Sequence, residues 1–169
     1  DKFLNGTFIP AFETARGCPY LCTFCDQGLD ASKITTFSTQ RLAEEMMYVG
    51  EKMSKITNGI KSTSIFDSNW GLFQKDVDLA DHIAKVMEKY DWPQFITCST
   101  PKSKRENLLK IDDKLKNRVA ISLPMQSMDP NTLNQIKRKN LPEQEQINHI
   151  RAIQKRGKTA STELIIPLP

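Results

Sequence analysis

The stretch ARGCPYLCTFCDQG, residues 15–28, holds three of the chain's four cysteines within eight positions. Cys18, Cys22 and Cys25 have the spacing C-x-x-x-C-x-x-C, and Phe24 stands just before the last. Thiolates so close in sequence meet at one centre only if the backbone curls around it. Gly17 and Pro19 supply turn chemistry on either side of Cys18. The loop, which runs to about Ser38, follows the apolar run TFIPAFET, 7–14, which reads as a strand.

From there the chain alternates between strand-like and helical segments. Leu42, Met46, Val49 and Met53 recur at helical steps behind Ser38 or Thr39 as a cap. STSIFDSN, 62–69, is a second strand, and Leu79, Ile83, Val86 and Tyr90 mark a second helix. QFITCST, 94–100, is a third strand, and SKRE, Ser103 to Glu106, is a capping-box pattern opening a helix through Leu108, Leu109 and Leu115. RVAISLP, 118–124, is a fourth strand, after which Asp129-Pro130 suits the start of a short helix. A longer helix from about Pro142 turns Ile147, Ile150 and Ile153 inward until Gly157 stops it, and STELIIP, 161–167, begins a fifth strand.

Such alternation predicts one α/β domain over 1–169, with parallel strands joined by right-handed crossovers. An open doubly wound sheet and a closed or partial barrel both satisfy it. In either, the cysteine loop lies at the C-terminal edge of the strands, where sites are built.

The composition, 38% hydrophobic and 26% charged over 169 residues, belongs to a globular domain with a sizeable core. A net charge of +4 permits an anionic partner without demanding one. The basic runs KSKR, 102–105, and IKRKN, 136–140, read as solvated helix ends rather than a nucleic-acid surface. No apolar run is long enough to span a membrane and no export signal is visible, so a cytoplasmic protein without membrane contact is expected. The chain starts at Asp1 and stops inside the fifth strand, as an excerpt of a longer protein would.

What the three cysteines hold can be narrowed by donor chemistry. Structural zinc takes four protein ligands, usually from two C-x-x-C knuckles, but Cys98 falls in a strand and His82 and His149 on helices. Disulfides would leave a cysteine over. An iron–sulfur cubane uses three thiolates on three irons and keeps the fourth iron open for a ligand. A structural zinc domain and a cluster that only passes electrons remain the competing readings. A lone strand cysteine such as Cys98 reads as a small core hydrophobe.

GCPYLCTFC is similar to the signature of the radical S-adenosylmethionine (radical SAM) enzymes, including the aromatic Phe24. FETARGCPY, CDQG and LPMQS resemble members with an upstream cobalamin-binding domain, and also the methylthiotransferases. The resemblance implies a partial (β/α) TIM-like barrel, here truncated in the fifth strand. It implies a [4Fe-4S] cluster on Cys18, Cys22 and Cys25, and S-adenosyl-L-methionine on the open iron. A low-potential donor such as flavodoxin or ferredoxin would reduce the cluster, and the cofactor would be cleaved to methionine and a 5′-deoxyadenosyl radical. By the same resemblance Phe24 packs near the adenine and Asp67 sits where the family contacts the methionyl amino group. Many relatives have a glycine-rich stretch with a glutamate there, so Asp67 is a departure. Gln126 and Ser127 are expected to face the ribose or the substrate. Cobalamin-dependent methyl transfer is the subclass this resemblance favours.

Overall fold

The computed structural model of the chain describes residues 2–28 and 33–169, so positions 29–32 of the cysteine loop lie outside the described residues. The TFIPAFET run contributes a two-residue strand, β1 (Ala11–Phe12). Short antiparallel strands β2 (Ala15–Arg16) and β3 (Thr35–Thr36) then pair and close the base of the cysteine loop. Helix α1 (Thr39–Ser54) starts at Ser38, whose hydroxyl accepts from the Arg41 N–H, and it buries Leu42, Met46 and Met53. Strand β4 (Ser62–Ile65), helix α2 (Gln74–Tyr90), strand β5 (Phe95–Cys98) and helix α3 (Arg105–Lys114) follow in turn.

β4 lies between β1 and β5, parallel to both, with Phe12 opposite Ile65 and Ile65 opposite Cys98. α1 packs on α2 and α2 on α3. The first two approach closely because Gly50 has no side chain: a Cβ there would stand 2.5 Å from Val86 Cγ1. Trp70, Trp92, Met53, Leu79 and Ile96 are fully buried between helices and sheet, where removing apolar surface from water stabilises the fold.

The expected fourth and fifth strands are reduced to single parallel bridges, Ile96 with Val119, Ser122 with Ser161, and Gln126 with Leu164. The alternation in RVAISLP still holds, since Val119, Ile121 and Leu123 are buried. Past β5 the Ser99 carbonyl, on the β4 side, accepts from Trp70 N, and on the other side the Thr100 hydroxyl, rather than a backbone N–H, reaches the Ser122 carbonyl. Pro124 has no N–H, and Gln126 is left-handed at φ 66°. Neighbours in the sheet nevertheless follow chain order with no reversal.

Helix α4 (Pro130–Gln135) is capped by Asp129, which accepts from Thr132 N at 2.8 Å. Helix α5 (Glu143–Gln154) buries Ile153, while Ile147 and Ile150 are half-buried. The capping box expected at Ser103 is corrected: α3 is preceded by Lys104 in the left-handed region, and the Ser103 hydroxyl bonds Tyr20 instead. Among the described residues no helix is long and apolar enough to cross a membrane.

Candidate functional site

The cysteine loop is held at both ends by side chains far away in sequence. At its base, the Asp67 carboxylate, just past β4, accepts from Thr14 N at 2.6 Å and from the Thr14 hydroxyl. Both residues are buried. Lys75 Nζ donates to the Thr14 carbonyl at 2.8 Å, and Phe37 N donates to the same oxygen at 3.1 Å. Gly17, at φ 92°, turns the chain out of β2 toward Cys18 in a conformation that side chains disfavour. Further along, Thr23 N donates to the Ile136 carbonyl at 3.1 Å, which ties the loop to the end of α4.

Inside this frame Cys18, Cys22 and Cys25 line one cavity of about 440 Å³ at the C-terminal edge of the strands. Phe24, Asp67 and Gln126 line the same cavity, so the structure brings together six of the seven residues singled out from the sequence. Ser127 is not on its wall; the Ser127 hydroxyl accepts from Asp129 N at 3.1 Å in the turn before α4. Asp67 forms part of the wall, yet both of its oxygens are engaged by Thr14. Gln126 Oε1 is buried and without a hydrogen-bond partner among the described residues. Cys98 is also on the wall, with surrounding protein pushing its thiol up to about 12 by burial, so it stays a neutral thiol. His82 and His149 are not among the lining residues.

Two of the three loop sulfurs already have donors directed at them. Asn69 Nδ2 is 3.2 Å from Cys18 Sγ, and Lys102 Nζ is 3.8 Å from Cys22 Sγ. Lys102 is buried and lies 4.0 Å over the Tyr20 ring. Burial pushes its ammonium down from the usual lysine range, opposed by the sulfurs of Cys22 and Cys18. Arg138 joins the wall, donating to the Pro124 carbonyl at 2.6 Å. Arg105 is buried with Nε and Nη1 unpartnered among the described residues, and burial followed by Arg138 pushes it down.

The solvated reading of KSKR and IKRKN is therefore corrected: Lys102, Arg105 and Arg138 turn inward. Lys102 follows β5 at the end of the sheet that builds the cavity, so its place in the fold outweighs the hydration of its charge. Asn69, Lys102 and Arg138 escape a sequence reading, since a lone amide or cation has no spacing signature. Their only sequence-level mark is a position at the end of, or shortly after, a predicted strand or helix.

Among the described residues no three His, Cys, Asp or Glu side chains converge on a single ion-sized point. Thiolates bound to separate irons of a cubane stand farther apart than ligands of one tetrahedral ion. Three soft thiol donors, two of them receiving hydrogen bonds at sulfur, beside a cavity with cationic and polar walls, fit an anionic iron–sulfur cluster.

A family model described as the Radical SAM superfamily matches residues 12–169, and the chain belongs to that family of enzymes. It is 29% identical over 170 residues to the 2-(S-pantetheinyl)-carbapenam-3-carboxylate methyltransferase of Streptantibioticus cattleyicolor, covering 96% of this chain and 24% of that protein. It is 28% identical, with the same coverage, to the cobalamin-dependent radical SAM methyltransferase TokK of Streptomyces tokunonensis. The chain thus spans about a quarter of the length of these curated relatives.

Proposed function

We propose that residues 1–169 form the core of a radical SAM enzyme, with Cys18, Cys22 and Cys25 holding a [4Fe-4S] cluster. The observation that carries this reading is the meeting of all three thiols in one cavity, with Asn69 and Lys102 aimed at two of the sulfurs. When bound, the cluster supplies the electron that cleaves S-adenosyl-L-methionine into methionine and a 5′-deoxyadenosyl radical. A flavodoxin or ferredoxin would deliver that electron.

The protein's part is to place and shield. Thr14, clamped by Asp67, fixes where the loop leaves the sheet, and the Ile136 carbonyl fixes its far side. Phe24, 37% exposed at the cavity wall, offers an apolar face for an adenine. Gln126 Oε1, buried without a partner, is an acceptor ready for a hydroxyl or amino group of the cofactor or substrate. Asp67 acts mainly through Thr14, and Ser127 through the turn into α4. Sheet neighbours in chain order support the partial barrel over the doubly wound alternative, whose strand order reverses. Four free thiols suit a reducing cytoplasmic setting.

Within this class, the two methyltransferase relatives favour methyl transfer, and the cobalamin-dependent one favours assistance by cobalamin. The test is anaerobic reconstitution of the complete protein, with iron and sulfide counted and the reduced cluster examined by electron paramagnetic resonance. A spectrum that changes on adding S-adenosylmethionine, and is lost in Cys22→Ala, supports the reading. A zinc-loaded protein free of iron, or a cluster blind to S-adenosylmethionine, would overturn it.

A further inference from the structure

Among the described residues, Lys102 is the one cation that is both buried and directed at a loop sulfur. Its ammonium lies 3.8 Å from Cys22 Sγ and 4.0 Å over the Tyr20 ring. No carboxylate pairs with it among the described residues. Tyr20 is itself fixed by its bond to Ser103, the residue next to Lys102. A long, flexible side chain is thus held in one place by a ring beneath it and a sulfur at its tip. Lysine loses considerable rotamer freedom in such a position and gives up hydration as well, so its placement is costly unless an anion compensates.

We propose that Lys102 is a positioning residue that raises the reduction potential of the cluster through its charge at Cys22. The inference rests on the cluster reading above. Adding an electron makes the cluster more negative, and a fixed positive charge beside one of its sulfurs stabilises that reduced form over the oxidised one. Hydrogen bonding to sulfur acts in the same direction, and Asn69 at Cys18 contributes the neutral version of the effect. Burial matters to the size, because water around an exposed lysine would screen most of it.

The test is a potentiometric titration of the reconstituted complete protein without S-adenosylmethionine, followed by electron paramagnetic resonance. Wild type is compared with Lys102→Met, Lys102→Gln and Lys102→Arg. At the wild-type midpoint, Lys102→Met is expected to lower the ratio of reduced to oxidised cluster about tenfold, which is 59 mV for a one-electron couple. Lys102→Gln keeps an N–H but no charge and falls between, while Lys102→Arg restores most of the wild-type value. An unchanged midpoint in Lys102→Met and Lys102→Gln, with iron and sulfide fully loaded, would overturn the proposal and leave the cluster reading intact. Loss of iron from both neutral variants would also overturn it, showing that Lys102 holds the loop together instead. Wild-type protein that takes up no iron and sulfide would sink the cluster reading itself.

Discussion

Replacing Asp67 by alanine separates two roles for a carboxylate at this edge of the sheet. If Asp67 serves chiefly to clamp Thr14, its loss deprives the buried Thr14 N–H and hydroxyl of their acceptors at once. A hydrogen bond to a charged group contributes about 1.5–3 kcal/mol, and a stranded buried donor adds about 1–3 kcal/mol. Because the two bonds share one acceptor group they do not sum fully, and about 3 kcal/mol is the expected loss. For a domain of this size that lowers Tm by about 6–12 °C. Asp67→Asn keeps an acceptor for the Thr14 N–H and presents an amide to the hydroxyl, so it should lose about 1 kcal/mol. The assay is thermal unfolding of the metal-free protein, where a residue that only met a bound cofactor would have no effect. Iron loading, measured in parallel, should fall in Asp67→Ala because the loop's exit from β2 is no longer fixed. A Tm within about 2 °C of wild type for Asp67→Ala would refute the clamp.

Asp112 is wholly buried, accepts from Val119 N at 3.1 Å and pairs with Lys158 at 2.6 Å, so Asp112→Ala leaves a half-buried ammonium with no counter-charge and only the Val119 carbonyl at 2.7 Å. It should destabilise by about 3–5 kcal/mol in urea unfolding, with Asp112→Asn recovering part. Gly50→Ala would drive a Cβ into Val86 and should destabilise by about 1–3 kcal/mol in the same assay. Burial holds the Cys98 thiol at about 12, so at pH 8 only about one in ten thousand is thiolate. Iodoacetamide labelling read by mass spectrometry should therefore find Cys98 slower in the folded protein than after unfolding, and equal rates would contradict that environment.

The helical faces of α1 and α2 and the parallel direction of the strands were readable because they rest on local periodicity and on connection lengths. Leu42, Met46, Leu79 and Ile83 are buried as their spacing demands. The three cysteines were readable for the same reason, being close in sequence. Contacts between distant residues were not. Nothing in TFIPAFET announces that Thr14 will meet Asp67, 53 residues on. A capping box at Ser103 is a sound local inference that a tertiary bond to Tyr20 overrides. Likewise the lysines and arginines of KSKR and IKRKN carry no sign of which way they face. Lys102 and Arg105 are buried while Lys104, between them, is exposed.

The donors to the loop sulfurs also set an order in time. Asn69 lies 51 residues after Cys18, and Lys102 lies 80 after Cys22. At about 5–20 residues per second, a ribosome takes roughly 4–16 s to carry synthesis from the second cysteine to its lysine. For that interval the thiols leave the ribosome ahead of the walls that will enclose them. If the loop holds the proposed cluster, cells making this protein in air would have to keep the newborn loop reduced until the chain just past β5 had been laid down, and cluster insertion would be a late event in biogenesis.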